Sequence, residues 1–303
     1  MSLTKAQPEG FRASPVKAVA HVSLGVAVVS WASTFISVKI VLPQVPPNTL
    51  AFLRFLIVSV VFGAYCLLSK NPLVRREDWP RAAACGLTGI TLYNFLQNQG
   101  LRYAGATDAA ILASMAPVFM ALLGYFVLRE KISPIRVLGI VIAFAGSVLV
   151  ATKGSLEAFT ANPLRLWGDF LVLLTGLAWA VYNVVLKGLL QKYPPFTILT
   201  SSTLAGTLFL FPLMIAETPD LSAVTATAWL HVLYLSLFGS AAAYLLWNSA
   251  VERVSTVTAG AYLYLIPIAA AVIAALVLKE IPGVYLVIGG ITVLAGTYFA
   301  AWK

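Results

Sequence analysis

The chain has 303 residues, 60% of them hydrophobic and only 10% charged, with a formal net charge of +9 and a mean hydropathy of +0.91. Soluble domains carry about 25% charged residues, so this chain lacks the polar side chains to coat a water-soluble globule of its length. A membrane protein is the class that remains. The basic excess lies between apolar runs, where membrane-orientation signals belong, and this argues against a nucleic-acid partner.

Residues 1–17 form a polar tail, expected in the cytoplasm. The apolar run that follows is longer than a signal-peptide core and is expected to stay as an uncleaved helix. A spanning helix needs about 20 mostly apolar residues. Ten stretches qualify as candidates: 18–40, 47–68, 82–103, 106–128, 134–152, 166–188, 195–216, 227–250, 256–278 and 282–302. None alternates apolar and polar residues as a membrane strand would. The expected class is an all-α integral membrane protein. With the N-terminus inside, the inner segments hold fourteen Lys and Arg and the outer ends five, Arg54 lying within a span. Lys70, Arg75, Arg76 and Arg81 fall at one inner loop, whereas 217–226 has no basic residue. The positive-inside rule then places both termini in the cytoplasm. Cys66 and Cys85 form no CxxC pair and read as reduced, buried hydrophobes. His21 and His231 are far apart. No metal or cofactor is expected.

The chain repeats itself. WASTFISVK at 31–39 is echoed by WAVYNVVLK at 179–187, so Trp31 and Lys39 match Trp179 and Lys187 at an offset of 148. Pro46 and Pro47 match Pro194 and Pro195 at the same offset. At an offset of 150, Asn98 matches Asn248, Pro117 matches Pro267, and Glu130 matches Glu280. Gly139 and Gly146 likewise match Gly289 and Gly296. Two repeats are expected, 18–152 and 166–302. Five spans per half means that the second half starts from the opposite side of the membrane. The halves would be inverted repeats with a substrate held near the midplane.

WASTFISVK, PPNTLAFLRF from Pro46, APVFMALLGYFVLREKIS from Ala116 and IPIAAAVIAALVLKEIPG from Ile266 together resemble the EamA-type transporters of the drug/metabolite transporter superfamily. The resemblance covers nearly the whole chain and is strongest to bacterial inner-membrane exporters of amino acids and related metabolites. It implies a central cavity lined by spans 1, 3, 4, 6, 8 and 9, with spans 5 and 10 peripheral. One departure stands out: Arg54 in span 2 has Ser202 at the matched position in span 7.

Residues three and four apart share a helix face. Thr91, Asn94 and Asn98 make a polar stripe on span 3, with Gln97 beside it. An amide facing lipid is costly, so this stripe is expected to point inward, either lining a site or bonding between helices. The matched face of span 8 carries Ser240, Tyr244 and Asn248, with Trp247 alongside. Ser30, Thr34 and Ser37 flank Trp31 on span 1. Thr175, Trp179, Tyr182 and Asn183 cluster on span 6. The two mid-span tryptophans are expected either to stack on a substrate or to pack helix against helix. Ser114 and Pro117 on span 4, and Tyr262, Tyr264 and Pro267 on span 9, complete the candidate binding set. The two prolines are expected to bend their helices and free the carbonyls of Ala113 and Leu263.

Arg54 lies about 10 Å into its span. It is expected to snorkel or to pair with backbone carbonyls, a substrate carboxylate being the competing partner. No Asp, Glu or His falls clearly in mid-span, which favours uncoupled passage over a proton relay. The expected protein is a non-enzymatic secondary transporter of the bacterial inner membrane. It would export amino acids, apolar and aromatic ones included, with broad specificity and by alternating access. A drug or nucleoside exporter of the same fold, proton-coupled or not, is the alternative. The expected partners are a small-molecule substrate and membrane lipid, and the chain is expected to work as a monomer.

Overall fold

A computed structural model describes residues 15–116, 118–119, 122–123, 133–152, 162–253, 262–263, 265–279 and 281–300. Among them every regular element is helical. α1 (Pro15–Val41) and α2 (Pro47–Ser69) are followed by α3 (Trp79–Gly86). A π-helical segment, Leu87–Leu92, joins α3 to α4 (Tyr93–Leu101). α5 (Ala106–Ala113) and α6 (Pro134–Thr152) come next. The second half opens with α7 (Pro163–Leu190) and α8 (Pro195–Ala216). α9 (Ala226–Ser236) leads through a second π-helical segment, Leu237–Ala242, into α10 (Ala243–Arg253). α11 (Leu265–Val277) and α12 (Val284–Ala300) close the order.

Pro47 and Pro195 begin their helices at the first turn, where a missing N–H costs nothing. Five described helices are long and apolar enough to cross a membrane: Val19–Val41, Pro47–Ser69, Pro163–Leu190, Pro195–Ala216 and Ala226–Arg253. Val137–Val150, Leu265–Val277 and Val284–Gly296 are apolar but shorter. The outer faces carry large apolar side chains such as Val22, Leu68, Phe144, Leu208 and Ile291. The interior holds Arg54, Asn94, Gln97, Asn98 and the Ser/Thr run Thr200–Thr203. An apolar skin, with the polar side chains turned into a mainly apolar interior, is the arrangement for a protein solvated by lipid.

Matched residues of the two halves meet one another. The Trp31 and Trp179 rings lie 5.4 Å apart, edge to face. Ser59 and Thr207, also offset by 148, share a hydrogen bond of 2.8 Å. α6 and α12 run antiparallel: a Cβ on Gly146 would lie 2.9 Å from the Gly289 carbonyl, and one on Gly296 would lie 2.7 Å from that of Gly139. Glycine at these positions lets the two backbones touch. The two π segments fall at one register, 150 residues apart. A π turn is a one-residue insertion that widens the helix and loosens its carbonyls.

Polar clasps hold the ends of the α2 and α8 regions. The Glu217 carboxylate accepts from the backbone N–H groups of Asn48 and Thr49, at 2.9 and 2.7 Å, and from Thr49 Oγ1. It thereby satisfies open donors at the positive end of α2. At the far end of α2, in the 3-10 turn Arg76–Asp78, Asp78 accepts from the Tyr193 hydroxyl (2.7 Å), Lys192 Nζ and Arg81 Nη1. The Tyr193 hydroxyl, and after it Lys192, holds the Asp78 carboxyl below the usual range, while that carboxylate raises Tyr193.

Candidate functional site

A cavity lies between the halves, at the level of the middle of α1 and α7. Trp31, Thr34 and Phe35 reach it from one face of α1, and Arg54 from α2. Tyr93 and Gln97 reach it from α4, Ala110 and Ala113 from α5, and Ser114 and Ala116 from just beyond. Trp179, Tyr244, Leu263 and Ile266 supply the opposite wall. These residues come from predicted spans 1, 3, 4, 6, 8 and 9, with Arg54 added from span 2. The small alanines leave the space and the aromatics narrow it. Solvent can occupy about 40 Å³, room for a few waters. The aromatic walls leave less space than an amino acid fills.

The walls are one connected aromatic group. Trp179 stacks on Tyr182 with centroids 4.9 Å apart. It also touches Trp31, Tyr93, Tyr244 and Trp247 at 5.4 to 6.1 Å. Trp31 meets Tyr244 and Trp247 at 5.6 and 5.2 Å. The π segments position this group. Gly89 in the first faces the Tyr182 ring, and the Tyr244 hydroxyl donates to its carbonyl (2.9 Å). Gly239, at the same place in the second, faces Thr34, the residue matched to Tyr182 at an offset of 148. A Cβ on Gly239 would lie 2.6 Å from the Thr34 methyl and 3.3 Å from Arg54 Nη2.

Arg54 is buried, does not snorkel, and grips the second π segment. Nε donates to the Leu235 carbonyl (3.1 Å) and to Ser240 Oγ. Nη2 donates to the Gly239 carbonyl (2.9 Å) and Nη1 to Asn94 Oδ1 (3.2 Å). The pairing with carbonyls expected from the sequence is present, and the same side chain also lines the cavity.

Of the candidate binding residues, Trp31, Thr34, Ser114, Trp179 and Tyr244 line the cavity. Asn94 stands behind Arg54 and donates to its own helix at Ile90 (2.8 Å). Asn98 donates to the Pro47 carbonyl (3.0 Å), joining α4 to α2. Tyr182 donates to Asn248 Oδ1 (3.2 Å), joining α7 to α10. Asn183 turns back on the Trp179 carbonyl (2.8 Å). Tyr262 pairs with His21 Nδ1 (2.9 Å), away from the cavity. Pro267 is buried near the start of α11. Pro117 and Tyr264 lie outside the described residues. Phe35, Tyr93 and Ile266 escaped the sequence reading, because nothing distinguishes an apolar cavity wall from helix packing; Leu263 entered it only through its backbone carbonyl. Ala110, Ala113 and Ala116 did leave a signal, a run of small residues every third position. Among the described residues no group of His, Cys, Asp and Glu is placed to hold a metal, and Cys66 and Cys85 are free thiols.

An apolar skin over helices that enclose a central aromatic-walled cavity defines a multi-pass membrane protein. The chain belongs to the EamA-like transporter family, which it matches twice, over residues 20–152 and 166–302. It is 34% identical over 289 residues to an uncharacterized transporter of Archaeoglobus fulgidus, covering 93% of this chain and 97% of that one. It is 31% identical over 278 residues to a probable terminal-alkyne amino-acid exporter of Streptantibioticus cattleyicolor, covering 90% of each. An uncharacterized transporter of Bacillus subtilis is 30% identical over 284 residues, covering 90% and 86%. A solved crystal structure, 20% identical, superposes with a TM-score of 0.66 over 93% of this chain and 96% of its own, and shares the fold. The family and these relatives are transporters, not enzymes.

Proposed function

We propose that this transporter carries amino acids, broadly and including apolar and aromatic ones, out of the cell across a bacterial inner membrane. It does so as a ten-span carrier of two inverted repeats with both termini in the cytoplasm, working as a monomer. The observation that carries the reading is the narrow aromatic cavity at which Trp31 and Trp179, matched residues of the two halves, touch. Contact between matched residues is what a two-fold axis passing close to them produces, and the Ser59–Thr207 and α6–α12 contacts are consistent with the same axis. Halves related in this way rock against each other and open one central site to either side in turn.

The cavity suits an amphiphile of modest size. Its walls are aromatic and aliphatic, with Thr34, Gln97, Ser114 and Arg54 as polar points. Apolar walls discriminate weakly between side chains, since a methylene is worth about 1–3 kcal/mol, so several amino acids share the route. Phosphate-bearing cargo fits less well, because Arg54 is the one cation among the described lining residues. No carboxylate lines the cavity among those residues either, which favours facilitated, gradient-driven passage. The test is uptake of labelled phenylalanine into liposomes holding the purified protein, without an ion gradient. Saturable uptake that unlabelled amino acids suppress, and nucleosides and sugars do not, is expected. Uptake at the empty-liposome level, with and without an imposed proton gradient, would remove the amino-acid reading.

A further inference from the structure

Among the described lining residues every other polar group is neutral, so Arg54 raises a question of charge. Its guanidinium is buried, and its partners, Leu235 O, Gly239 O, Ser240 Oγ and Asn94 Oδ1, are all neutral acceptors. Carbonyl and hydroxyl oxygens solvate a cation without cancelling its charge. No described carboxylate forms an ion pair with it. An uncompensated charge inside a membrane protein is costly and calls for a counter-anion. The donors are also only partly used. A guanidinium has five N–H groups. The described bonds occupy Nε and one N–H on each terminal nitrogen. A second N–H on each terminal nitrogen is left, on a side chain that faces the cavity. Two N–H groups of one guanidinium are the fork that a carboxylate binds with both oxygens.

The opposite end of a zwitterion finds no such match. Among the described lining residues there is no Asp or Glu to receive an ammonium, only the neutral side-chain acceptors of Thr34, Gln97, Ser114, Tyr93 and Tyr244. Thr34 and Ser114 donate their hydroxyls to Trp31 O and Ile111 O, at 2.7 and 2.6 Å, which leaves lone pairs that can accept from an ammonium but carry no charge to match it. The apolar part of a ligand has Trp31, Trp179 and Tyr244 beside it.

We propose that Arg54 is the carboxylate-binding group of this cavity, and that the group a ligand must carry is the carboxylate rather than the amine. The ligand class is then small monocarboxylates with an apolar or aromatic tail, of which amino acids are one subset. This deepens the amino-acid reading and rests on the same cavity being the transport site.

The test uses the intact protein in detergent or nanodiscs and reads the tryptophan fluorescence of the cavity during titration. Three probes share one ring and differ in their polar ends: L-phenylalanine, 3-phenylpropanoate and 2-phenylethylamine. The two carboxylates are expected to bind within about tenfold of each other. The amine should bind at least about tenfold more weakly, the scale of a lost charge-assisted hydrogen bond. Arg54→Lys keeps the charge and loses the fork. It is expected to weaken both carboxylates by about tenfold or more and leave the amine unchanged. Arg54 also anchors the second π segment, so a variant that fails to fold transfers the decision to the wild-type series. Binding of the amine as tight as that of phenylalanine, or no binding of 3-phenylpropanoate, overturns the proposal. The function it rests on fails separately. Binding of both carboxylates without phenylalanine flux in liposomes leaves Arg54 in place and removes amino-acid transport.

Discussion

Trp31 and Trp179 occupy matched positions and touch, but their surroundings are unequal, and a double-mutant cycle reads both facts. Trp31 packs on Trp179, Tyr244 and Trp247. Trp179 packs on Trp31, Tyr244 and Trp247 and, in addition, on Tyr93 and Tyr182. A buried aromatic truncated to Ala costs about 3–5 kcal/mol. Each aromatic pair contributes about 0.5–1.5 kcal/mol beyond its buried area. The extra Tyr93 and Tyr182 pairs therefore make Trp179→Ala about 1–3 kcal/mol worse than Trp31→Ala. Because the rings meet, the two changes are not additive, and the coupling should be about 0.5–1.5 kcal/mol. The assay is equilibrium unfolding of wild type, both single variants and the double variant in mixed micelles. Equal costs for the two singles, or a coupling of zero, would refute this account of the aromatic wall.

Two further changes probe the scaffold. Gly146→Val puts a Cβ about 2.6 Å from Val293 N and 2.9 Å from the Gly289 carbonyl. It should destabilise the protein by about 1–3 kcal/mol through overpacking of α6 on α12. Phenylalanine uptake by the protein that remains folded should persist, because α6 and α12 do not line the cavity; loss of uptake without loss of stability would contradict that separation. Asp78 has a carboxyl pKa below the ordinary 3.8, so its bonds to Tyr193 and Lys192 stabilise the fold above that value and are lost as the pH falls through the lowered one. Amide exchange at Val74, Arg75 and Asp78, whose N–H groups are hydrogen-bonded, should stay slow down to about pH 4 after correction for intrinsic rates and rise below it. In Asp78→Asn it should be fast already at neutral pH. A rise between neutral pH and about pH 5 in the wild type would show that another group controls this loop.

The sequence displayed some of this architecture and hid the rest for physical reasons. The matched tryptophans were visible because Trp is rare, and a rare residue keeps its meaning in a chain dominated by Leu, Ala and Val. Their contact is a finding of the fold, which brings the matched rings to 5.4 Å. The π segments left no such mark, since LTGITL and LFGSAA read like any other helical stretch; only Gly89 and Gly239, 150 residues apart, hint at them. The amides were ambiguous in principle. Asn98 and Asn248 face inward as expected, yet both are engaged between helices. A burial penalty drives an amide away from lipid and does not say whether a ligand or a carbonyl will satisfy it. Arg54 was conspicuous as a charge in a span, but a one-dimensional reading cannot place it against the second half, where the Leu235 and Gly239 carbonyls hold it.

Two copies of one fold, set head to tail, would by themselves treat both membrane faces alike. Arg54 breaks that equality. Its counterpart Ser202 is neutral, and the Ser202 hydroxyl bonds back to Ile198 and Leu199 of its own helix. In the proposed inverted arrangement, Arg54, the one cation among the described lining residues, means that exchanging the roles of the halves does not regenerate the same site. A ligand arriving from the cytoplasm and one arriving from outside then meet different electrostatic surroundings, and half-saturation concentrations at the two faces need not agree. An uncoupled carrier cannot alter the final equilibrium, but such a built-in inequality sets the concentration range in which outward or inward flux responds most steeply.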